Sequence, residues 1–599
     1  MCAIFGIIGN YNYNTAKSAL ALMSHRGPDF CGIIQEEKLF FAHNLLRIMD
    51  SSKNAHQPYL HKHLLVSFNG EIYNKQELQK ILAHGQTDIS ESQLIALAYL
   101  KWREDFVNHL RGMFVIAIKD KDKLYLFRDR LGKKPVFFHN GKSFVFASEI
   151  KAIIPFLEHI TLNNDALLSY LSYLAPTPPH TFFQGVHKLA AGEFLLFENG
   201  KITIKRYFDI LHAKPSNITS KQSAKKQIKE DLMESLHLRL QTPSPKAILL
   251  SGGIDSAFIT SVSKSMGYKI DTYTLGYNEY KNYDESDNAQ RFAKSLGIKN
   301  RVINADKTSF MDSLDETLQI LDEPLNDPAA PFLNILLKHI KDDGYKVVFS
   351  GEGSDELFLG YRQYFEYLDI EKAASLAHKN WLKKYFRANF SMNREWEWYK
   401  RIWDGTLLFR TSGEKFTDLQ QNLLLRQNIK DNHSYEYLKA YRENFEKSAH
   451  NDESIWYSYI DLNIFQAEHF LKKLDHVSMA SSIEARTPFL DHKLAQDLFS
   501  IKPSIRYQDK ITKSLLKDIA SEYLDQKTLT RKKKGFSTPY MEWLIASGKI
   551  SLINEVNEKT GIFNDKILNQ YITLAKKGRF KQHTWGLYVL SWWLKKWLL

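Results

Sequence analysis

The stretch from Lys246 to Ser256, KAILLSGGIDS, constrains the fold of this chain more than any other segment. Its four apolar residues, Ala247 to Leu250, predict a short buried strand, and the two glycines that follow let the backbone turn sharply and approach a ligand closely. No helix breaker occurs from Asp255 to Ser265, so a helix should follow. A strand, a tight turn and a helix N-terminus together present free N–H groups that suit a polyphosphate.

The side chains of this loop agree with that interpretation. Ser251 and Ser256 can add hydroxyl donors, and Asp255 can hold Mg²⁺ or its water shell. The Gly-Lys-Ser/Thr signature of the Walker loop is missing. The six residues SGGIDS instead resemble the pyrophosphate-binding loop of ATP pyrophosphatases. That resemblance implies cleavage of ATP between its α and β phosphates. The alternative is a strand-to-helix turn whose small residues serve packing alone.

Length, charge and cysteine content limit the class of protein. A chain of 599 residues is too long for one ordinary core and predicts two or more domains. Two cysteines, Cys2 and Cys31, exclude a disulfide scaffold and favour a reducing cytoplasm. The net charge of +13 is dispersed, so we expect no nucleic-acid partner. No apolar run reaches the roughly 18 residues of a membrane span. Trp585 to Leu599 is amphipathic, which favours a docking helix over a membrane anchor. A homodimer stays open.

The first part of the chain, from Ala3 to about Tyr207, consists of short apolar runs separated by turn residues. We expect these runs to be strands of an antiparallel or mixed sheet, with a few helices such as Ser90 to Lys101. The clearest predicted strands are Leu64 to Phe68, Met113 to Ile118, Leu124 to Phe127 and Phe144 to Phe146.

Residue 2 carries the chemistry of this half. A small residue after Met1 permits removal of the initiator methionine, which leaves Cys2 with both a thiol and a free α-amino group. A terminal amine with a pKa of about 8 can accept a proton near neutral pH while the thiol supplies the nucleophile. The alternative is a buried cysteine with a packing role only.

Four further motifs make this half resemble the glutaminase domain of class II amidotransferases: His25 to Asp29, Asn69 to Asn74, Arg128 to Pro135, and Phe146 to Ala152. The resemblance implies the N-terminal-nucleophile hydrolase fold, with helices covering two stacked sheets. It also implies that Asn69 and Gly70 form the oxyanion hole and that Glu71 helps to hold the amino group of glutamine.

Two positions depart from the pattern of that family. Leu45 stands where the family has an arginine for the α-carboxylate of glutamine, and Arg47 reaches that carboxylate only if the loop is remodelled. The aspartate that holds the α-amino group is replaced by Glu91. Weaker glutamine use, with free ammonia as the better donor, therefore stays open.

The second half begins after a polar segment. We predict domains at 1–207 and 224–599, with residues 208–223 as the linker. The helix from Gln227 to Leu240 feeds the strand before the glycine loop, and strands and helices alternate from Ile270 to Ser350. Such alternation predicts a doubly wound parallel sheet with its ligand at the carboxyl ends of the strands.

A second glycine loop, VVFSGEGSDE from Val347 to Glu356, follows an apolar strand. It resembles the corresponding motif of asparagine synthetases, as do Glu323 to Pro331, Lys473 to Ala480 and Ile483 to Asp491. The alternative is a solvated acidic turn. No assignment is made for about 364–461.

The resemblance implies roles for individual residues of this half. An ATP site would be lined by Leu249, Ser251, Gly252, Gly253, Asp255, Ser256, Leu275, Ser350, Gly351 and Lys513. Asp255 and Asp355 would serve magnesium pyrophosphate. Glu352 would act on ammonia or on the acyl intermediate, and Lys513 would neutralise phosphate charge.

These patterns predict a two-domain amidotransferase that resembles the asparagine synthetases and acts on small molecules, namely glutamine, ATP and aspartate. Another acceptor carboxylate, such as a sugar acid of a surface polysaccharide, stays open. A non-catalytic protein that senses ATP or glutamine also stays open.

Overall fold

The computed structural model describes residues 2–83, 89–371, 380–382, 384–385, 394–508, 510–531 and 538–599. Met1, whose removal is predicted, lies outside these residues. The strands of the first half are β1 Ala3–Ile8, β2 Phe30–Glu36, β3 Leu39–Leu45, β4 Tyr59–His61, β5 Leu64–Ile72, β6 Gly112–Asp120, β7 Lys123–Arg128, β8 Phe137–Asn140, β9 Phe144–Ala147, β10 Val186–Lys188, β11 Glu193–Glu198 and β12 Lys201–Arg206. Its helices are α1 Tyr13–Ala21, α2 Lys75–Leu82, α3 Glu91–Trp102 and α4 Asn164–Tyr173.

The first half is an αββα sandwich of two antiparallel sheets. Their spatial orders are β10-β8-β9-β1-β3-β2 and β12-β11-β7-β6-β5-β4. Because side chains alternate along a strand, Ile4 of β1 lies in the layer shared by both sheets, whereas Phe5 faces the cluster that includes α1 and α4. Helix α3 covers the outer face of the second sheet. This arrangement confirms the predicted N-terminal-nucleophile fold.

The second half contains a parallel sheet in the order β15-β14-β13-β16-β17. Its strands are β13 Lys246–Leu249, β14 Asp271–Gly276, β15 Asn300–Asn304, β16 Val347–Phe349 and β17 Glu484–Arg486. Its helices are α5 Lys221–Leu240, α6 Ile254–Ser265, α7 Ser286–Ser295, α8 Lys307–Ile320, α9 Ala330–Asp342, α10 Ser354–Leu357, α11 Arg362–Glu371, α12 Arg394–Trp403, α13 Asp418–Leu424, α14 His433–Glu436, α15 Lys439–Lys447, α16 Glu453–Ile460, α17 Leu471–Ala480, α18 His492–Ser500, α19 Pro503–Arg506, α20 Ser514–Ala520, α21 Gln526–Thr530, α22 Tyr540–Ala546, α23 Leu552–Thr560, α24 Asp565–Lys576 and α25 Lys581–Trp597.

Both faces of the parallel sheet are covered. Ala247 and Val348 belong to the cluster with α8 and α9, whereas Ile248 and Phe349 belong to the cluster with α5 and α6. The doubly wound fold predicted from the alternation of strands and helices is therefore confirmed. The predicted linker, residues 208–223, contains the turn Ile210–His212 and the start of α5. Ser220 caps α5 by accepting a hydrogen bond from the Ser223 amide.

The described part of 364–461 is mainly helical, and a π-helix, Asp461–Phe470, continues directly into α17. The π-helix and α17 carry ionic partners for the first half. Arg128 of β7 lies 2.9 Å from Glu468, and Lys134 lies 3.1 Å from Asp475, with all four side chains buried. Buried pairs of this kind fix the mutual orientation of the two halves, because each charge loses its hydration and needs its partner.

The C-terminal helix α25 docks against the protein, as its amphipathic pattern predicts. Trp585 and Trp593 are buried, and the Trp593 indole donates to the carbonyl of Asp322 at 3.1 Å. Tyr170 of the first half donates to the Gly586 carbonyl at 2.8 Å. Among the described helices, none is long and apolar enough to cross a membrane.

Candidate active sites

Cys2 lies immediately before β1 and is 6% exposed. Its amide nitrogen donates to Asn69 Oδ1 at 2.9 Å, and its carbonyl accepts from Arg26 Nε at 3.2 Å. Both ends of the residue are therefore held by buried side chains. Burial raises the pKa of the Cys2 thiol, so the nucleophilic thiolate requires a proton acceptor at the site.

Asn69 and Gly70 lie on β5 beside this cysteine. Asn69 is fully buried, and within the described part of the chain its Nδ2 has no hydrogen-bond partner. A buried donor without a partner is costly unless a ligand completes it, which is the property required of an oxyanion hole. Position 70 must be glycine, because a Cβ there would lie 2.0 Å from the Met113 carbonyl oxygen.

A cavity of about 830 Å³ opens beside Cys2, and both halves of the chain line it. Gly70, Glu71 and Glu91 come from the first half. Glu484 of β17 and Glu234 of α5 come from the second half. Neither glutamate has a role that its sequence motif predicts. The cavity is therefore an interdomain feature.

The inner carboxylates share one electrostatic environment. Burial raises the pKa of Glu91 to about 7, although its side chain accepts a hydrogen bond from the Ile72 amide. Burial and the neighbouring Glu91 raise the pKa of Glu71 well above its usual value. Burial also disfavours charge on Glu484, but Arg486 lowers its pKa by direct pairing at 2.6 Å. Such a cluster suits a bound ammonium group.

Of the predicted glutamine-binding residues, Glu71 and Glu91 line the cavity, whereas Asn69 lies behind its wall beside Cys2 and Arg47 points to another partner. Its guanidinium lies 3.0 Å from His56 Nε2, and it is not among the described residues that line the cavity. Leu45, the last residue of β3, does line it. The lysine and arginine side chains in the lining are Lys75, Lys80 and Arg111, and Arg111 is already paired with Glu234 and Asp491.

The two glycine loops of the second half meet at one edge of the parallel sheet. Strands β13 and β16 are neighbours, with Ala247 opposite Val348, so their carboxyl ends lie side by side. Gly252, at φ +74°, turns the first loop, and Gly253 caps α6. Ser354 Oγ of the second loop donates to Asp255 at 2.7 Å. The loops therefore form one site.

The predicted phosphate-site residues lie at or next to this edge. Leu249, Leu275 and Ser350 come from the ends of three adjacent strands. Gly351 passes so close to the first loop that a Cβ there would lie 2.8 Å from the Asp255 Cβ. Ser251 and Ser256 are joined through their hydroxyl groups at 3.2 Å.

Lys513 joins the two aspartates. Its ammonium lies 2.7 Å from both carboxylate oxygens of Asp255 and 3.0 Å from Asp355. Although burial disfavours its charge, these carboxylates raise the pKa of Lys513, which therefore stays protonated. No group of three metal-ligating side chains occurs among the described residues, so a cation at this pair would take its other ligands from water or from phosphate oxygens. The pair does fit Mg²⁺ that brings phosphate oxygens with it.

Three other charged residues approach the loops. Lys473 of α17 pairs with Asp327 at 2.7 Å. Burial lowers the pKa of Lys473, but the negative charges of Asp327 and Glu352 outweigh that effect and raise it. Arg531 donates to the Gly252 carbonyl at 2.6 Å. The motifs around Lys473 and Asp327 were visible in the sequence, but a contact between segments about 150 residues apart leaves no local signal.

Comparisons with known proteins agree with this architecture. A family model described as asparagine synthase matches residues 227–598, and a glutamine amidotransferase domain model matches residues 1–208. Asparagine synthetase [glutamine-hydrolyzing] 1 of Bacillus subtilis is 30% identical, covering 93% of this chain and 89% of the relative. A putative asparagine synthetase [glutamine-hydrolyzing] of Mycobacterium tuberculosis is 30% identical, covering 89% and 85%. Amidase chyE of Penicillium rubens is 25% identical, covering 88% and 85%.

The fold and the two sites define a class: a glutamine amidotransferase of the N-terminal-nucleophile type, joined to a domain of the ATP-pyrophosphatase type. Within that class the chain belongs to the asparagine synthase family, whose model covers more than half of its length.

Proposed function

We propose that this protein is a glutamine-dependent asparagine synthetase that amidates the side-chain carboxylate of aspartate at the expense of ATP. The observation that carries the proposal is the position of β17. Glu484 of this strand lines the Cys2 cavity, while the backbone carbonyl of Arg486 accepts a hydrogen bond from the Ser350 amide at 3.0 Å. A single three-residue strand thus contacts both sites, as transfer of a small intermediate between them requires.

In the first site, the Cys2 thiol attacks the side-chain carbonyl of glutamine. The α-amine exposed by removal of Met1 accepts the thiol proton, and Asn69 Nδ2 and the Gly70 amide stabilise the oxyanion. Glu71 and Glu91 hold the ammonium group of glutamine. The α-ammonium of Cys2 then gives the proton to the amide nitrogen as the carbon–nitrogen bond breaks, which expels ammonia and leaves a thioester on Cys2. Water hydrolyses the thioester to glutamate and regenerates the thiol, and ammonia passes through the interface of the two halves.

In the second site, the acceptor carboxylate attacks the α-phosphate of ATP and expels pyrophosphate. The loops at Ser251 to Ser256 and Ser350 to Asp355 hold the phosphates, and Lys513 neutralises their charge. Mg²⁺ held by Asp255 and Asp355 would supply further charge neutralisation on the leaving pyrophosphate. Ammonia then displaces AMP from the acyl adenylate, and Glu352 accepts a proton from the attacking nitrogen. Adenylation is required because a free carboxylate is a poor electrophile.

The acceptor is the part of the proposal with an alternative. Most of the relatives reported above carry the name asparagine synthetase, which favours aspartate. The relative named amidase chyE supports a second candidate, in which the same chemistry amidates another carboxylate such as a sugar acid of a surface polysaccharide. A non-catalytic sensor of ATP or glutamine is the third candidate.

The test is product analysis with ATP labelled at the α-phosphate, glutamine, Mg²⁺ and a panel of carboxylates. We expect AMP, pyrophosphate and asparagine in equal amounts with aspartate, and background AMP with the other acids. AMP formation driven by a sugar acid alone would establish the second candidate. Absence of AMP with every acceptor would leave the sensor, and formation of ADP and orthophosphate would contradict the pyrophosphatase assignment.

Two variants separate the sites. Asp255→Asn should abolish AMP formation while glutamate release from glutamine continues. Asp342→Asn removes a carboxylate in the same way, but at the C-terminal end of α9. It is the matched control and should leave both reactions unchanged.

A further inference from the structure

Lys513 occupies the position between the two carboxylates that a divalent cation is expected to hold. One ammonium contacts three carboxylate oxygens, two from Asp255 and one from Asp355, at 2.7 to 3.0 Å. Its side chain is 4% exposed, so these contacts are sheltered from water. The two carboxylates therefore share an internal counter-ion.

The surroundings of this ammonium are tightly packed. A Cβ at Gly360 would lie 2.4 Å from Lys513 Cε and 2.1 Å from Asp355 Oδ1. Lys513 also has a left-handed backbone, with φ +55° and ψ 33°, immediately before α20. A residue other than glycine adopts this backbone conformation at a cost in free energy, so tertiary contacts must stabilise it. The fold thus specifies where the ammonium lies.

Charge balance determines what this position can accept. Two carboxylates and one ammonium carry a net charge of −1, and addition of a divalent cation alone would leave a buried net charge of +1 and force two cations together. Burying an uncompensated charge of this kind is strongly unfavourable. A polyphosphate that arrives with the metal restores the balance and gives the lysine a new anionic partner.

We propose that Lys513 acts as an internal cation that prevents a divalent metal ion from binding to the Asp255–Asp355 pair until a polyphosphate binds. The metal and the polyphosphate then enter together, and the ammonium moves from the carboxylates to phosphate oxygens. This inference rests on the proposed ATP site, and it goes beyond that proposal by assigning Lys513 a role before the nucleotide binds.

The test uses Mn²⁺ as the probe, with free Mn²⁺ measured by electron paramagnetic resonance on the full chain without nucleotide. The Lys513→Met variant should bind about one additional Mn²⁺ at least tenfold more tightly than the native protein. Lys517→Met is the matched control, because Lys517 lies on α20, which begins directly after Lys513, and is partly buried. This variant should behave like the native protein. The double variant Asp255→Asn, Lys513→Met should lose the additional ion.

Addition of inorganic pyrophosphate should create the Mn²⁺ site in the native protein. The proposal is overturned if the native protein binds Mn²⁺ at this pair as tightly as Lys513→Met does without pyrophosphate. It is also overturned if Lys513→Met, shown by circular dichroism to be folded, gains no ion. The readout does not depend on turnover, so failure to form AMP would refute the proposed function and leave the Mn²⁺ result to stand separately.

Discussion

The substitution Asn69→Asp tests the oxyanion hole directly. An aspartate has nearly the same shape and keeps the oxygen that accepts the 2.9 Å hydrogen bond from the Cys2 nitrogen, which is the α-amine once Met1 is removed. The substitution replaces the Nδ2 donor, which is buried and has no other hydrogen-bond partner in the described residues, by a negatively charged oxygen. Loss of one such donor costs about 2.7 to 4 kcal/mol in the transition state, so kcat for glutamine hydrolysis should fall about 10²- to 10³-fold. The added negative charge makes this a lower bound.

The assay is glutamate release, measured beside AMP formation supported by ammonia. The ammonia-supported reaction should be unchanged, because the second site is intact. Gln76→Glu is the matched control, since Gln76 lines the same cavity but is exposed at its mouth, and it should retain kcat. If Asn69→Asp keeps more than a third of the native kcat, its amide does not stabilise the oxyanion and the assignment fails.

Three further predictions address the nucleophile, the amine site and the interface. Cys2→Ala should abolish glutamine-driven synthesis while ammonia-driven synthesis survives. Equal loss of both would contradict the assignment of glutamine hydrolysis and amide synthesis to two separate sites. Since burial raises the pKa of Glu91 to about 7, the carboxylate that holds the ammonium group becomes more populated as pH rises, so KM for glutamine should fall between about pH 6 and 8. Glu91→Gln should remove that dependence. Arg486→Met removes the direct ionic partner of buried Glu484 and should cost about 3 to 5 kcal/mol of unfolding free energy in urea titration. Lys142→Met at an exposed pair should change stability by less than about 1 kcal/mol.

The elements that the sequence predicts well are those whose signal is local. The strand β13, the turn at Gly252 and the helix α6 follow from a hydrophobic run, two glycines and a segment without breakers, all within twenty residues. The sandwich strands β5 and β6 are likewise predicted from short apolar runs, and they extend four and three residues further than those runs. Such elements can be predicted because the spacing of hydrophobic residues and the turn residues that end a segment both act over a few positions.

The position of Arg47 shows where local inference fails. It lies two residues after Leu45, a spacing that would put both side chains on one face if the strand continued. Strand β3 ends at Leu45, however, and the amide of Arg47 donates to Asp29 at 2.7 Å in the turn that follows. The guanidinium consequently lies beside His56 and away from Cys2. The end of a strand is set here by a tertiary hydrogen bond, which single-residue spacing does not reveal.

The contacts between the two halves are the part of the structure that the sequence predicts least, because they join residues that are far apart along the chain. Arg26 contacts the Cys2 carbonyl through Nε and Asp475 of α17 through its terminal nitrogen at 2.8 Å. One fully buried guanidinium thus ties the nucleophile to a helix of the second half. Desolvation makes such a contact weak evidence for stability, but it aligns the groups that meet at the interface. The first half expressed alone would keep the Arg26–Glu149 pair at 3.0 Å but would lose Asp475, the partner of both Arg26 and Lys134. We therefore infer that the Cys2 site reaches its working geometry only in the intact chain.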